Sequence, residues 1–102
     1  MKRRFVLAPE AVLDLAQIWR YIRKRSSVGT ADRVESEIRR KIVFLAENPG
    51  GGHLRKDITT EHVKFFPVYS YLIVFLPETK PLKVIAILHG QRDLGPVLRN
   101  RM

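Results

Sequence analysis

The run FFPVYSYLIVFLPETKPLKVIAILH, residues 65–89, decides how this chain of 102 residues folds. It is dense in β-branched and aromatic side chains, the types that fit a pleated, half-buried surface. Two breaks interrupt it, one around Pro67 to Ser70 and one at PETKP, residues 77–81. Both are built from residues that favour turns over continued strand. The pattern predicts strands at 62–66, 70–76 and 82–88. The third is apolar on both faces from Val84 to Leu88, which places it inside the sheet rather than at its edge.

Towards the amino terminus the period changes from two to between three and four. Val12, Leu15, Trp19 and Ile22 recur at helical spacing from Glu10 to Arg25, with Asp14, Gln17 and Lys24 opposite. RSSVGTAD breaks the pattern, and Thr30 is the expected N-cap of a second helix. Its stripe is Ala31, Val34, Ile38, Ile42 and Leu45, and NPGGG ends it because proline and glycines do not continue a helix. The short link predicts an antiparallel helical hairpin facing one sheet. Phe5-Val6-Leu7 reads as a brief first strand stopped by Pro9. After the last strand, Asp93 precedes a short helix. The expectation is an α+β fold, a small antiparallel-rich sheet on an N-terminal helical hairpin, in the order β-α-α-β-β-β-(α). A length of 102 residues makes this one domain, 1–102.

Nineteen Lys and Arg against ten Asp and Glu give a net charge of +9. Residues 1–27 hold seven of the cations against two acids, and residues 82–102 hold four against one, so the excess sits at the two ends. Such a chain attracts polyanions or acidic proteins. With no cysteine there is no disulfide and no thiolate metal site, which fits a reducing cytoplasm. No apolar run reaches the roughly 18–20 residues of a membrane helix.

Few motifs carry chemistry. His53, His62 and His89 have no metal-ligand spacing, so no metal site or cofactor is expected. PGGGH lacks the phosphate-loop pattern, and no nucleophile elbow is present. Glu10, Asp14, Asp32, Glu35 and Glu37 read as solvated helix faces beside basic residues, and Trp19 reads as core or as a partner anchor. HGQRD, residues 89–93, is the one compact polar cluster, at a strand-to-helix corner. It reads as a structural corner, a contact surface, or an acid–base site in which His89 and Arg92 lack a second acid or base in the final ten residues.

Four stretches, LAPEAVLDLAQIWRYI, LAENPGGGHLRKD, FFPVYSYLIVFL and ILHGQRDLGPVL, together resemble ParE-type toxins of the RelE/ParE toxin–antitoxin superfamily. The resemblance implies a toxin that inhibits growth by binding a target, DNA gyrase, with no catalytic residues. It also implies neutralisation in a hetero-oligomer with a cognate acidic ParD-like antitoxin, for which +9 is a fitting charge. A RelE-like ribosome-dependent mRNA endoribonuclease is the alternative; the tail VLRNRM carries neither the aromatic nor the histidine of that branch. An inactive homologue that serves only as antitoxin partner is the third. On this reading Arg92, Arg99 and Arg101 form a cationic tip beside His89 that meets the target, and Asp93 caps the last helix. Trp19 and Ile22 anchor the antitoxin, with Arg20 and Arg23 pairing to its acids.

Overall fold

A computed structural model describes residues 4–59 and 62–101. The chain runs β1 (Phe5–Leu7), α1 (Pro9–Arg25), α2 (Val28–Glu47), a 3₁₀ turn at Pro49–Gly51, β2 (Lys64–Val68), β3 (Tyr71–Leu76), β4 (Leu82–His89) and α3 (Leu94–Arg101). The four strands form one sheet in the order β1-β4-β3-β2. β1 lies parallel to β4, and the other neighbours are antiparallel. The α+β order matches the sequence reading, and β4 is interior as its two apolar faces required.

Both faces of the sheet are covered. One packs on the helical hairpin through Leu15, Ile38, Ile42 and Leu45 against Ile73, Phe75, Val84 and Ile87. The other holds Val63, Phe65, Val74, Ile85, Ala86 and Leu88 against Leu94 and Leu98 of α3. Consecutive Ile85 and Ala86 share that second face because the β3–β4 register slips there, pairing Val74 with Ala86 and Phe75 with Val84. This bulge re-aims the backbone of β4 beyond it.

Three local expectations are corrected. β2 continues through Pro67 and turns at Tyr69-Ser70, not at Pro67. Phe65 pairs away from β3 with His53, N to O 2.8 Å in both directions. Alternation therefore puts the missing N–H of Pro67 on the same outer edge, where a strand tolerates proline. The N-cap of α2 is Ser27, not Thr30: the Ser27 hydroxyl accepts the Thr30 amide at 3.1 Å. Finally, α1 is rotated by about one position from the predicted stripe. Ala8, Ala11 and Leu15 are buried while Val12 is 49% exposed. Small Ala11 lets the helix sit close to the sheet, and that rotation turns Asp14 inwards.

Candidate functional site

β4 outruns its neighbour. β1 pairs only with Leu82 to Val84, so the backbone of β4 from Ile85 onward has no strand on that side. Two side chains take its place. The Asp14 carboxylate accepts the Ile87 amide at 3.0 Å, and a guanidinium nitrogen of Arg101 donates to the Ile85 carbonyl at 3.3 Å. The two side chains also pair with each other through the two terminal guanidinium nitrogens, at 2.5 and 2.9 Å. Their side chains are 7% and 16% exposed. Hydrogen bonding to the Asp14 carboxylate raises the pKa of Arg101, which keeps its guanidinium charged. Asp14, read from the sequence as part of a solvated face, is thus the buried carboxylate of the chain's described residues. Arg101 is likewise no member of an exposed tip; it ties α3 to α1 across the open edge of β4.

The corner itself is held by the backbone. Gly90 donates to the Ser70 carbonyl at 2.8 Å, which ties the end of β4 to the β2–β3 turn. The Arg92 amide donates to the His89 carbonyl at 3.0 Å, and the Gln91 amide donates to His89 Nδ1 at 3.2 Å. Nδ1 is therefore an acceptor, and a neutral His89 carries its proton on Nε2. Asp93 stands directly before α3, and its carboxylate accepts no helix amide among the described residues, so the expected cap is not formed.

Past the Asp14–Arg101 tie lies a cleft of about 230 Å³ between α1 and the end of β4, lined by Gln17, Ile18, Tyr21, Tyr71, His89 and Arg92 among others. Tyr71 meets His89 edge-on at 5.5 Å between ring centroids. Burial, with Tyr21 nearby, pushes the Tyr71 phenol up from its ordinary pKa. A second, polar cleft of about 430 Å³ is lined by Arg55, Arg92 and Arg99 with Asp57 and Asp93. Arg55 is engaged, its guanidinium on the Asp57 carboxylate at 2.8 and 3.0 Å. Arg92 and Arg99 are exposed, and among the described residues neither guanidinium has a partner.

The structure therefore brings His89, Arg92 and Arg99 to one corner and withdraws Arg101. It adds Tyr21, Tyr71 and Arg55, which sequence reading missed. Tyr21 lies on α1 at i+7 from Asp14, so helical spacing ties the two to one face, but only the rotation of α1 shows which face that is. Trp19, Arg20, Ile22 and Arg23 lie away from this corner, at the hairpin. Trp19 Nε1 donates to Asp32 at 2.8 Å across the two helices, and the Arg23 guanidinium sits 5.4 Å from its ring. Trp19 and Ile22 are half-buried, and Arg20 and Arg23 are exposed. Among the described residues no group of His, Asp and Glu comes together as a metal site.

The model of the ParE toxins of type II toxin–antitoxin systems matches residues 5–94. The chain belongs to the ParE toxin family. Among solved structures, a chain from the chromosomal ParDE TA system of P. aeruginosa is similar in fold to this ParE-family chain. It has a TM-score of 0.72 at 15% identity, and the match covers 83% of this chain and 92% of that one. No curated protein matches this ParE-family sequence. Among the described residues no helix is long and apolar enough to cross a membrane.

Proposed function

We propose that this chain is a growth-inhibiting toxin that acts in the cytoplasm by binding its target, DNA gyrase, and is neutralised by an acidic ParD-like antitoxin in a hetero-oligomer. The ParE family match over residues 5–94 is the observation that carries this reading. Arg92 and Arg99 are its target contacts, since both are exposed and unpaired at a corner fixed by the backbone. The hairpin carries the antitoxin surface, with Trp19 and Ile22 as anchors and Arg20 and Arg23 as ionic partners. The charge of +9 supports steered association with an acidic partner.

One observation favours the RelE-like alternative: Tyr71 and Arg92 line one cleft with His89. Against it, burial moves the Tyr71 phenol further from neutrality, which weakens it as a base at physiological pH. A gyrase supercoiling assay run beside an in vitro translation assay tests the choice. Gyrase inhibition lost in Arg92→Ala, retained in His89→Ala, and unaccompanied by RNA cleavage is the expected result. RNA fragments that disappear with His89→Ala, without gyrase inhibition, refute the proposal.

A further inference from the structure

The loop between β2 and β3 is two residues long, Tyr69 and Ser70, with Val68 paired to Tyr71 across it. Loops of that length ordinarily place Gly, Asn or Asp where the backbone enters the left-handed region. Here that place is taken by a tyrosine. Tyr69 has φ 55°, and no other non-glycine residue among those described has a positive φ. A positive φ at the first loop residue alone is the pattern of a II′ turn, whose first position is normally glycine. A bulky side chain is costly there, because its Cβ crowds the neighbouring backbone. Packing offers no compensation. Tyr69 is 64% exposed, more than any other exposed large apolar side chain among the described residues. Its hydroxyl has no hydrogen-bond partner among them.

Strain that no buried contact repays is a mark of function. We propose that Tyr69 is a binding anchor, a ring held out by the hairpin tip to enter a pocket on a folded protein partner beside the contact made by Arg92. This rests on the reading that the corner meets a protein target. The position fits. The Ser70 carbonyl accepts the Gly90 amide at 2.8 Å, and Tyr71 stands opposite His89 in the register. The tip is thus fastened to the corner that presents Arg92. Tyrosine and arginine are the side chains that most often dominate a protein interface, and a ring with two torsions on a backbone pinned by paired strands loses little freedom on binding. The partner must then offer an apolar pocket, an acceptor for the phenol and an acid at the rim for Arg92. A nucleic-acid strand fits the tip less well. Val68, Ser70 and Tyr71 flank the ring, and none carries a charge with which to neutralise a phosphate.

Growth inhibition on expression, inhibition of gyrase supercoiling and melting temperature test the anchor in the parent, Tyr69→Gly, Tyr69→Phe and Leu13→Ala. Tyr69→Gly should abolish growth inhibition and raise the concentration that half-inhibits supercoiling at least about thirty-fold, the loss that marks a dominant interface residue. Its melting temperature should rise by a few degrees, about 4 °C, as the strained turn relaxes. Tyr69→Phe keeps the ring and should retain most of the inhibition. Leu13, 60% exposed on α1, is the control for removal of surface apolar area, and Leu13→Ala should match the parent. Full potency in Tyr69→Gly overturns the assignment. A melting temperature that falls in that variant also overturns it, since the ring would then be a packing residue. If Arg92→Ala loses supercoiling inhibition while Tyr69→Gly keeps it, the anchor fails and the gyrase reading stands. If the parent stops growth without inhibiting gyrase, that reading fails, and growth inhibition by Tyr69→Gly still decides the anchor.

Discussion

Replacing Asp14 by alanine removes three interactions together: the paired guanidinium of Arg101 at two nitrogens and the amide of Ile87. What remains is a guanidinium whose side chain is only 16% exposed and a strand amide with no acceptor. Removing one partner of a buried ion pair costs about 3–5 kcal/mol. An orphaned amide accounts for about 1–3 kcal/mol of such a loss and is not added to it. Arg101 sits in the last turn of α3 with its side chain 16% exposed, so it can turn to solvent and recover part of its hydration. The lower end, about 3 kcal/mol, is therefore the expected cost of Asp14→Ala. Against a total of about 5–15 kcal/mol that is a large share. For a domain near 100 residues it corresponds to a fall in melting temperature of roughly 12–24 °C. Asp14→Asn keeps an acceptor for the Ile87 amide and should cost less. Pairing Asp14→Leu with Arg101→Met should recover only part of the loss, because it removes the stranded charge but still leaves the Ile87 amide without an acceptor. Urea unfolding of the single and double alanine variants completes a thermodynamic cycle. A coupling below about 0.5 kcal/mol, the level expected of independent sites, would refute the view that Asp14 and Arg101 substitute as a unit for the missing strand.

Local geometry sets the remaining outcomes. Ser27→Ala should cost about 1 kcal/mol in urea unfolding through loss of the α2 cap, and Thr30→Ala should cost less; the reverse order would restore Thr30 as the cap. A Cβ at Gly52 would lie 2.5 Å from the ring of Phe75, which is fully buried, so Gly52→Ala should cost about 1–3 kcal/mol. Gly29→Ala meets only Ser27 Oγ at 3.8 Å and should be neutral or stabilising by about 0.5–1 kcal/mol, with denaturation midpoints separating the two. Because folding raises the Tyr71 pKa, the folded chain holds that proton more tightly than the unfolded chain. The associated stability is present below the ordinary phenol value of 10.0 and is lost as pH rises through the folded value. Melting temperatures from about pH 8 to 11 should thus fall more steeply in the parent than in Tyr71→Phe, and parallel profiles would contradict this.

Periodicity was enough for the α+β order, the hairpin and the interior place of β4, because apolar spacing reports secondary structure directly. The corner at HGQRD was also legible, since a glycine and a charged pair after an apolar run mark a strand end. Boundaries were less so. Pro67 signals a turn in isolation, and only the edge position of β2 makes it acceptable within a strand. The site divides along the same line. His89, Arg92 and Arg99 are close in sequence, and a single turn plus one short helix keeps them close in space. Arg55, Tyr21 and Tyr71 reach that corner from three other elements, and no local pattern records such a meeting. Asp14 is the clearest case. A helical carboxylate near basic residues reads as solvated, and nothing at residues 10–18 tells otherwise. Its burial follows from the shortness of β1, the bulge at Ile85 and the rotation of α1, which together leave an amide of β4 needing an acceptor. Spacing along the chain thus settles which segments become helix and strand and which residues are available to the corner. Packing settles which of those residues are free to bind, because an unpaired strand edge takes the nearest charges, Asp14 and Arg101, as its hydrogen-bond partners and leaves Arg92 and Arg99 to solvent.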